Sequence, residues 1–99
     1  MYEKEDGTVP FSDWMDSQED LPVYDIVMTR LDRVEQGNLG ECKPVGEGVT
    51  ELIIDFGPGY RVYIGEDGKD FVILLIGGDK KSQQADIKAA KTYWKNYNA

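Results

Sequence analysis

The 99-residue chain has no histidine and a single cysteine, Cys42. Without histidine there is no Ser-His-Asp triad, no Cys-His dyad and no zinc centre of the usual nitrogen and sulfur donors. One cysteine leaves neither an internal disulfide nor a cysteine-rich metal site. Acid–base chemistry near neutral pH is left to Asp, Glu, Lys or Tyr with shifted pKa values, or is replaced by stabilisation of charge alone. Long apolar runs are missing too. The longest, Phe71-Val-Ile-Leu-Leu-Ile76, is six residues, against the ~20 of a membrane-spanning helix. The charged start Met1-Tyr-Glu-Lys-Glu-Asp6 does not read as a signal peptide, so no membrane association and a cytoplasmic location are expected.

Positive charge is scarce, with 11 Lys+Arg against 19 Asp+Glu and a net charge of −8. The deficit lies in residues 1–41, which hold 11 acids and 3 bases, whereas residues 42–99 hold 8 of each. Beyond Gly78, Lys80, Lys81, Lys88, Lys91 and Lys95 outnumber Asp79 and Asp86. One end of the molecule is therefore acidic and the other mildly basic. A chain of this size buries roughly 65% of its unfolded surface, enough for one core, so residues 1–99 are read as a single domain.

What is present has two periods. Phe11, Trp14 and Met15 follow Pro10 at helical spacing, and Leu21-Pro22 ends that helix. Val23, Ile26, Val27, Leu31 and Val34 then trace one stripe of a second helix, stopped by Gly37. The two helices are expected to form a hairpin over one core. From Val49 the period becomes two. Thr50, Leu52, Ile54 and Phe56 alternate with Val49, Glu51, Ile53 and Asp55, and Gly57-Pro-Gly59 makes a turn. Tyr60–Gly65 reads as the second strand, Glu66-Asp-Gly68 as a tight connection, and the wholly apolar Phe71–Ile76 as a central third strand. Gly77-Gly78 is expected to end the sheet. Ile87, Ala90, Trp94 and Tyr97 mark a closing helix with Ser82 as N-cap. The fold class is α+β: two N-terminal helices packed on a small antiparallel meander, with a C-terminal helix.

Several blocks, taken in order, resemble one known family: Arg30-Leu-Asp-Arg-Val-Glu-Gln-Gly-Asn-Leu-Gly40, Lys43-Pro-Val-Gly-Glu-Gly-Val49, Glu51-Leu52, Gly57-Pro-Gly-Tyr-Arg-Val-Tyr63 and Gly77-Gly-Asp-Lys80. They are similar to the RelE/ParE superfamily of type II toxins, in the HigB-like branch of addiction-module killer proteins, from about Pro10 to Tyr97. The resemblance implies two N-terminal helices on a small antiparallel sheet. It also implies an extra N-terminal strand, for which only Met1–Glu5 is available, so that strand is short or missing and leaves a sheet edge uncovered. The implied activity is metal-independent cleavage of messenger RNA in the ribosomal A site, held in check by a helix-turn-helix antitoxin. Operator DNA would be reached only through that antitoxin, and no cofactor is implied. In such a reaction a 2′-OH attacks the adjacent phosphate, so the protein must take a proton, stabilise negative charge and protonate the leaving oxygen.

By that resemblance Arg61, Asp79 and Lys80 are the candidate catalytic residues, and Lys43, Tyr63 and Lys81 the candidate substrate-binding ones. A guanidinium suits a phosphate because its fork of donors engages two oxygens and stays charged; the plainer reading of Arg61 is a surface arginine paired with Glu51 or Asp55. Lys80 and Lys81 would hold phosphate or donate protons, with Asp79 orienting them; the alternatives are a helix-capping Asp79 and a solvated Lys81. Lys43 falls in a loop between helix and sheet, where a solvated charge is the alternative. Tyr63, on the same strand face as Arg61, is placed to stack on a base or to pack within the sheet. Tyr93, Trp94 and Tyr97 read as helix-to-core packing, Gly57-Pro-Gly59 as a turn, and Cys42 as an inert small residue.

Ile53 stands where the family often carries an arginine. That replacement and the charge of −8 both weaken cationic contact with RNA. They favour a second reading, a toxin-fold module that holds an antitoxin and regulates its operon with little activity. A third, by analogy with the ParE side of the superfamily, is inhibition of DNA gyrase. The acidic first 41 residues are expected to steer association with a basic segment of the antitoxin.

Overall fold

The computed structural model describes residues 1–18, 21–67 and 71–99. Pro10, whose ring pre-sets a helical φ, opens helix α1 (Pro10–Asp16), and Val9 precedes it in extended conformation. Helix α2 (Leu21–Glu35) buries Val23, Val27 and Val34 and half-buries Ile26 and Leu31, the stripe expected from the sequence. It ends on Gly37, whose φ of +91° suits only glycine well, with Gly37 N–H donating to Val34 O and Asn38 N–H to Arg33 O. Four strands follow, β1 (Cys42–Gly46), β2 (Val49–Ile54), β3 (Tyr60–Asp67) and β4 (Phe71–Asp79), all antiparallel in the order β1-β2-β3-β4. Helix α3 (Gln83–Tyr97) closes the chain, giving an α+β fold. No helix among the described residues is long and apolar enough to cross a membrane.

The helices cover both faces of the sheet. Phe11 and Met15 of α1 and the α2 valines meet Leu52, Ile54, Val62 and Ile64 on one face, so the two helices do share one core. On the other face α3 brings Ala90, Tyr93 and Trp94 against Val49, Tyr63 and Leu75. Each such side chain taken out of water contributes about 1.5–3 kcal/mol before chain entropy is counted, so both layers are needed for a chain this short.

Four expectations are corrected. Among the described residues the sheet has four strands rather than three, because Cys42–Gly46 is an edge strand: Lys43 pairs with Glu51 and Pro44 with Thr50. Proline and lysine there suit an edge, where no neighbour needs the missing N–H. The hairpin turns on Glu47 and Gly48, both at positive φ (56° and 83°), a geometry usually marked by Asn-Gly and therefore silent in this sequence. Second, β4 is not central but the opposite edge; it is apolar because helices cover it on both sides. Third, Gly77 and Gly78 do not end the sheet. They pair with Val62 and Arg61, and a Cβ at either would lie 2.2 Å from Trp14 or 1.8 Å from the Asp86 carboxylate. They are glycine because side chains press on them from both faces. Fourth, the second strand runs to Asp67 rather than Gly65; Gly68, at the end of the expected tight connection, lies outside the described residues.

The N-terminal segment is not a strand, but Tyr2 N–H donates to Leu74 O on the outer edge of β4 at 2.9 Å. Tyr2 is buried and stacks on Tyr93, with ring centroids 5.1 Å apart. The edge that the resemblance leaves uncovered is thus capped at one point.

Candidate functional site

On the α3 side of the sheet the alternation of β2 and β3 places three polar residues where apolar ones would ordinarily pack. Lys43, Glu51 and Tyr63 stand in one cross-strand row, and Ile53, Arg61 and Gly78 in the next. Glu51 and Tyr63 are fully buried. One Glu51 oxygen, Oε2, accepts from the Tyr63 hydroxyl and from Gln83 Nε2, each at 2.9 Å. The other, Oε1, faces two cations, with Arg61 Nε at 3.7 Å and Lys43 Nζ at 3.9 Å. Both Oε1 and Arg61 Nε are buried without a hydrogen bond among the described residues. Burial, and then the hydrogen bond to the adjoining Glu51 carboxylate, push the Tyr63 phenol well above its ordinary value. It is therefore a fixed donor at any working pH.

The Arg61 side chain is only 10% exposed, and its Nη1 donates to Tyr60 O at 3.2 Å. Arg61 is thus neither a surface residue nor paired with Asp55; its partner is Glu51. Lys80, in the turn after β4, reaches back toward it. A Cβ on Gly59 would lie 3.2 Å from Lys80 Cε and 3.3 Å from Arg61 Nη1, so both side chains cross the same glycine. Lys43, 57% exposed on β1, completes the group from the other side. Two cations, from β1 and β3, therefore face one buried carboxylate, and Lys80 from the β4–α3 turn lies beside the outer end of Arg61.

Two other candidates sit differently. The Asp79 Oδ1 accepts from the N–H groups of Lys81 (2.9 Å) and Ser82 (3.2 Å), so its carboxylate holds the turn that carries Lys80. Ser82 occupies the N-cap position of α3, yet its hydroxyl makes no cap bond and donates instead to Asp86. Lys81 is exposed and lines a separate groove of about 720 Å³ at the β4 edge, shared with Trp14, Gly77, Ser82 and Asp86. Burial raises the Asp86 carboxyl, the Ser82 hydroxyl bond opposes the shift, and Asp79 adds to it.

Base stacking by Tyr63 is overturned, since a fully buried ring whose hydroxyl is tied to Glu51 has no free face. The loop placement of Lys43 is likewise corrected, because it projects from a strand. Tyr93 and Trp94 do pack on the sheet, whereas Tyr97 stacks on Trp94 at 5.3 Å and stays 41% exposed. Cys42 packs at the margin of the apolar cluster. Glu51 and Gln83 were not singled out as site residues. The sequence signals for Glu51 are its place in the Glu51-Leu52 block and a charge within an alternating strand, and Gln83 carries none.

The chain is 43% identical over 84 residues, 85% of each sequence, to a protein of Haemophilus influenzae named only as uncharacterized. The two belong to one family. No family model matches the chain, and no solved structure does.

Proposed function

We propose that the chain is the toxin component of a type II toxin–antitoxin pair, a metal-independent endoribonuclease that cuts messenger RNA in the ribosomal A site. The observation that carries this reading is the grouping of three cations: Arg61 and Lys43 meet at Glu51, and Lys80 lies beside Arg61 over Gly59. In-line attack by a 2′-OH builds negative charge on a phosphorus centre, and fixed cations lower its energy without reorganising at the moment of reaction. Arg61 stabilises the phosphorane, Lys80 assists charge or proton transfer, and Asp79 positions Lys80 by holding its turn. Lys43 and Lys81 extend the basic rim toward the RNA backbone. A helix-turn-helix antitoxin masks the rim, and operator DNA is met only through it.

The test is cleavage of messenger RNA in a cell-free translation reaction, with and without ribosomes. Ribosome-dependent cleavage reduced about a hundredfold in Arg61→Ala, the scale for losing one charge-stabilising donor, supports the reading. Absence of cleavage by the natural chain sinks it. A second reading, a toxin-fold module that binds an antitoxin and regulates its operon, is favoured by the near-complete burial of Arg61 beside the apolar Ile53. It predicts antitoxin binding with no cleavage.

A further inference from the structure

Glu51 is the least expected residue of the site. It is a fully buried carboxylate on a face where an apolar cluster continues beside Arg61 and Tyr63, and it carries two good hydrogen bonds and one that is unmade. For stability alone, a buried ion pair has no advantage over apolar side chains of similar volume. A pair left with two unsatisfied atoms is worse than either alternative. The arrangement becomes intelligible as a chain of constraints. Tyr63 from β3 and Gln83 from the first turn of α3 both donate to Oε2, which fixes the carboxylate plane. Oε1 is thereby aimed at Arg61 Nε, and a movement of about 0.8 Å would bring the 3.7 Å separation to hydrogen-bond length. Nη1 is held by Tyr60 O, while Nη2 has no acceptor among the described residues.

We infer that Glu51 is a positioning residue: braced by Tyr63 and Gln83, it sets the plane of the Arg61 guanidinium so that its outer edge is presented to a phosphate oxyanion. The identity of that oxyanion as an RNA phosphodiester rests on the proposed function; the positioning does not. A guanidinium with no fixed anion facing its Nε turns about its last side-chain bond, and a receptor that turns loses the advantage of preorganisation. Glu51 acts through Arg61 and has no direct access to substrate, being fully covered.

The experiment follows the Arg61 Nε–H resonance by NMR, assigned by its loss in Arg61→Lys, during titration with inorganic phosphate. The natural chain, Glu51→Gln and Tyr63→Phe are compared, and all three are also assayed for RNA cleavage in the translation reaction. The expected result is a resonance that is sharp and phosphate-responsive in the natural chain but broadened by solvent exchange and unresponsive in both variants. Cleavage is expected to fall roughly tenfold in rate with little change in half-saturation, the mark of lost orientation rather than lost binding. If Glu51→Gln does not fold, Tyr63→Phe, which removes one hydroxyl, carries the test. Should both resonance and phosphate response persist in the folded variants, or should the natural chain show no response to phosphate at Arg61, the inference is overturned whatever the cleavage data show. If the natural chain responds as expected yet cuts no RNA, the proposed function fails and the positioning role stands.

Discussion

The two faces of the sheet are built on different terms. Under α1 and α2, Leu52, Ile54, Val62 and Ile64 pack with Phe11, Met15 and the α2 valines in a cluster without a buried charge. Under α3, the same two strands point Glu51, Arg61 and Tyr63 inward, and the apolar cluster of Val49, Leu75 and Ala90 continues beside them. The first face serves to hold the fold. The second gives up apolar burial to keep an ionic network dry, and charges acting through a dry medium are felt more strongly than in water. Where a small domain interrupts its own hydrophobic pattern at buried positions, the interruption is the place to look for chemistry.

The division can be broken most directly from the apolar side. Leu52→Ala should lower stability by about 4 kcal/mol, since it empties a fully buried site. Urea unfolding checks this, and in the folded fraction the proposed RNA cleavage should be retained. Loss of activity at full folding would mean that the faces are not separable.

On the other face, Glu51→Leu leaves the Arg61 guanidinium buried beside no anion, for an expected cost of about 3 kcal/mol. The triple variant Glu51→Leu, Arg61→Leu, Tyr63→Phe should regain most of that stability while lacking the proposed cleavage. If the triple variant unfolds as readily as Glu51→Leu alone, the network holds the fold together and the contrast between faces is wrong. Gly77→Ala, which drives a methyl toward Trp14, should cost about 2 kcal/mol by overpacking. A thermal melt unchanged from the natural chain would show that α1 gives way freely.

The smallest effect concerns pH. The Asp86 carboxyl is raised by burial above its ordinary 3.8, so it binds its proton more tightly in the folded chain than in the unfolded one. Its contribution favours folding fully below that ordinary value and is lost as pH rises through the folded pKa. Asp86→Asn should therefore melt slightly above the natural chain at pH 7, with the gap closing on acidification toward pH 4. A gap that widens on acidification has the opposite sign and would show that burial is not what governs this carboxyl.

Much of the framework was legible because it rests on local pattern. The α2 stripe, the period of two through β2 and β3, and Gly37 as a stop each follow from backbone geometry and apolar spacing alone. The strand β1 was hidden because its residues are those that suit an exposed edge, and an edge shows little hydrophobic alternation. The glycines of β4 misled for a related reason. Their meaning lies in Trp14 and Asp86, many positions away, and not in their neighbours.

The site divides in the same way. Of the basic residues singled out by motif, Arg61 and Lys43 meet at Glu51 and Lys80 lies beside Arg61, while Lys81 sits elsewhere. Tyr63 was placed on the correct face, and only the arrival of α3 determined that this face is closed. By itself the sequence determined that any chemistry proceeds without histidine, that eight of the eleven basic residues follow residue 41, and which segments are helices and which are three of the strands. The tertiary structure decided that Glu51 is buried between two cations, that Asp79 serves its own turn, and that β4 is an edge. Those outcomes depend on contacts between residues far apart in the chain, where desolvation and cross-strand register, rather than local spacing, set the energy.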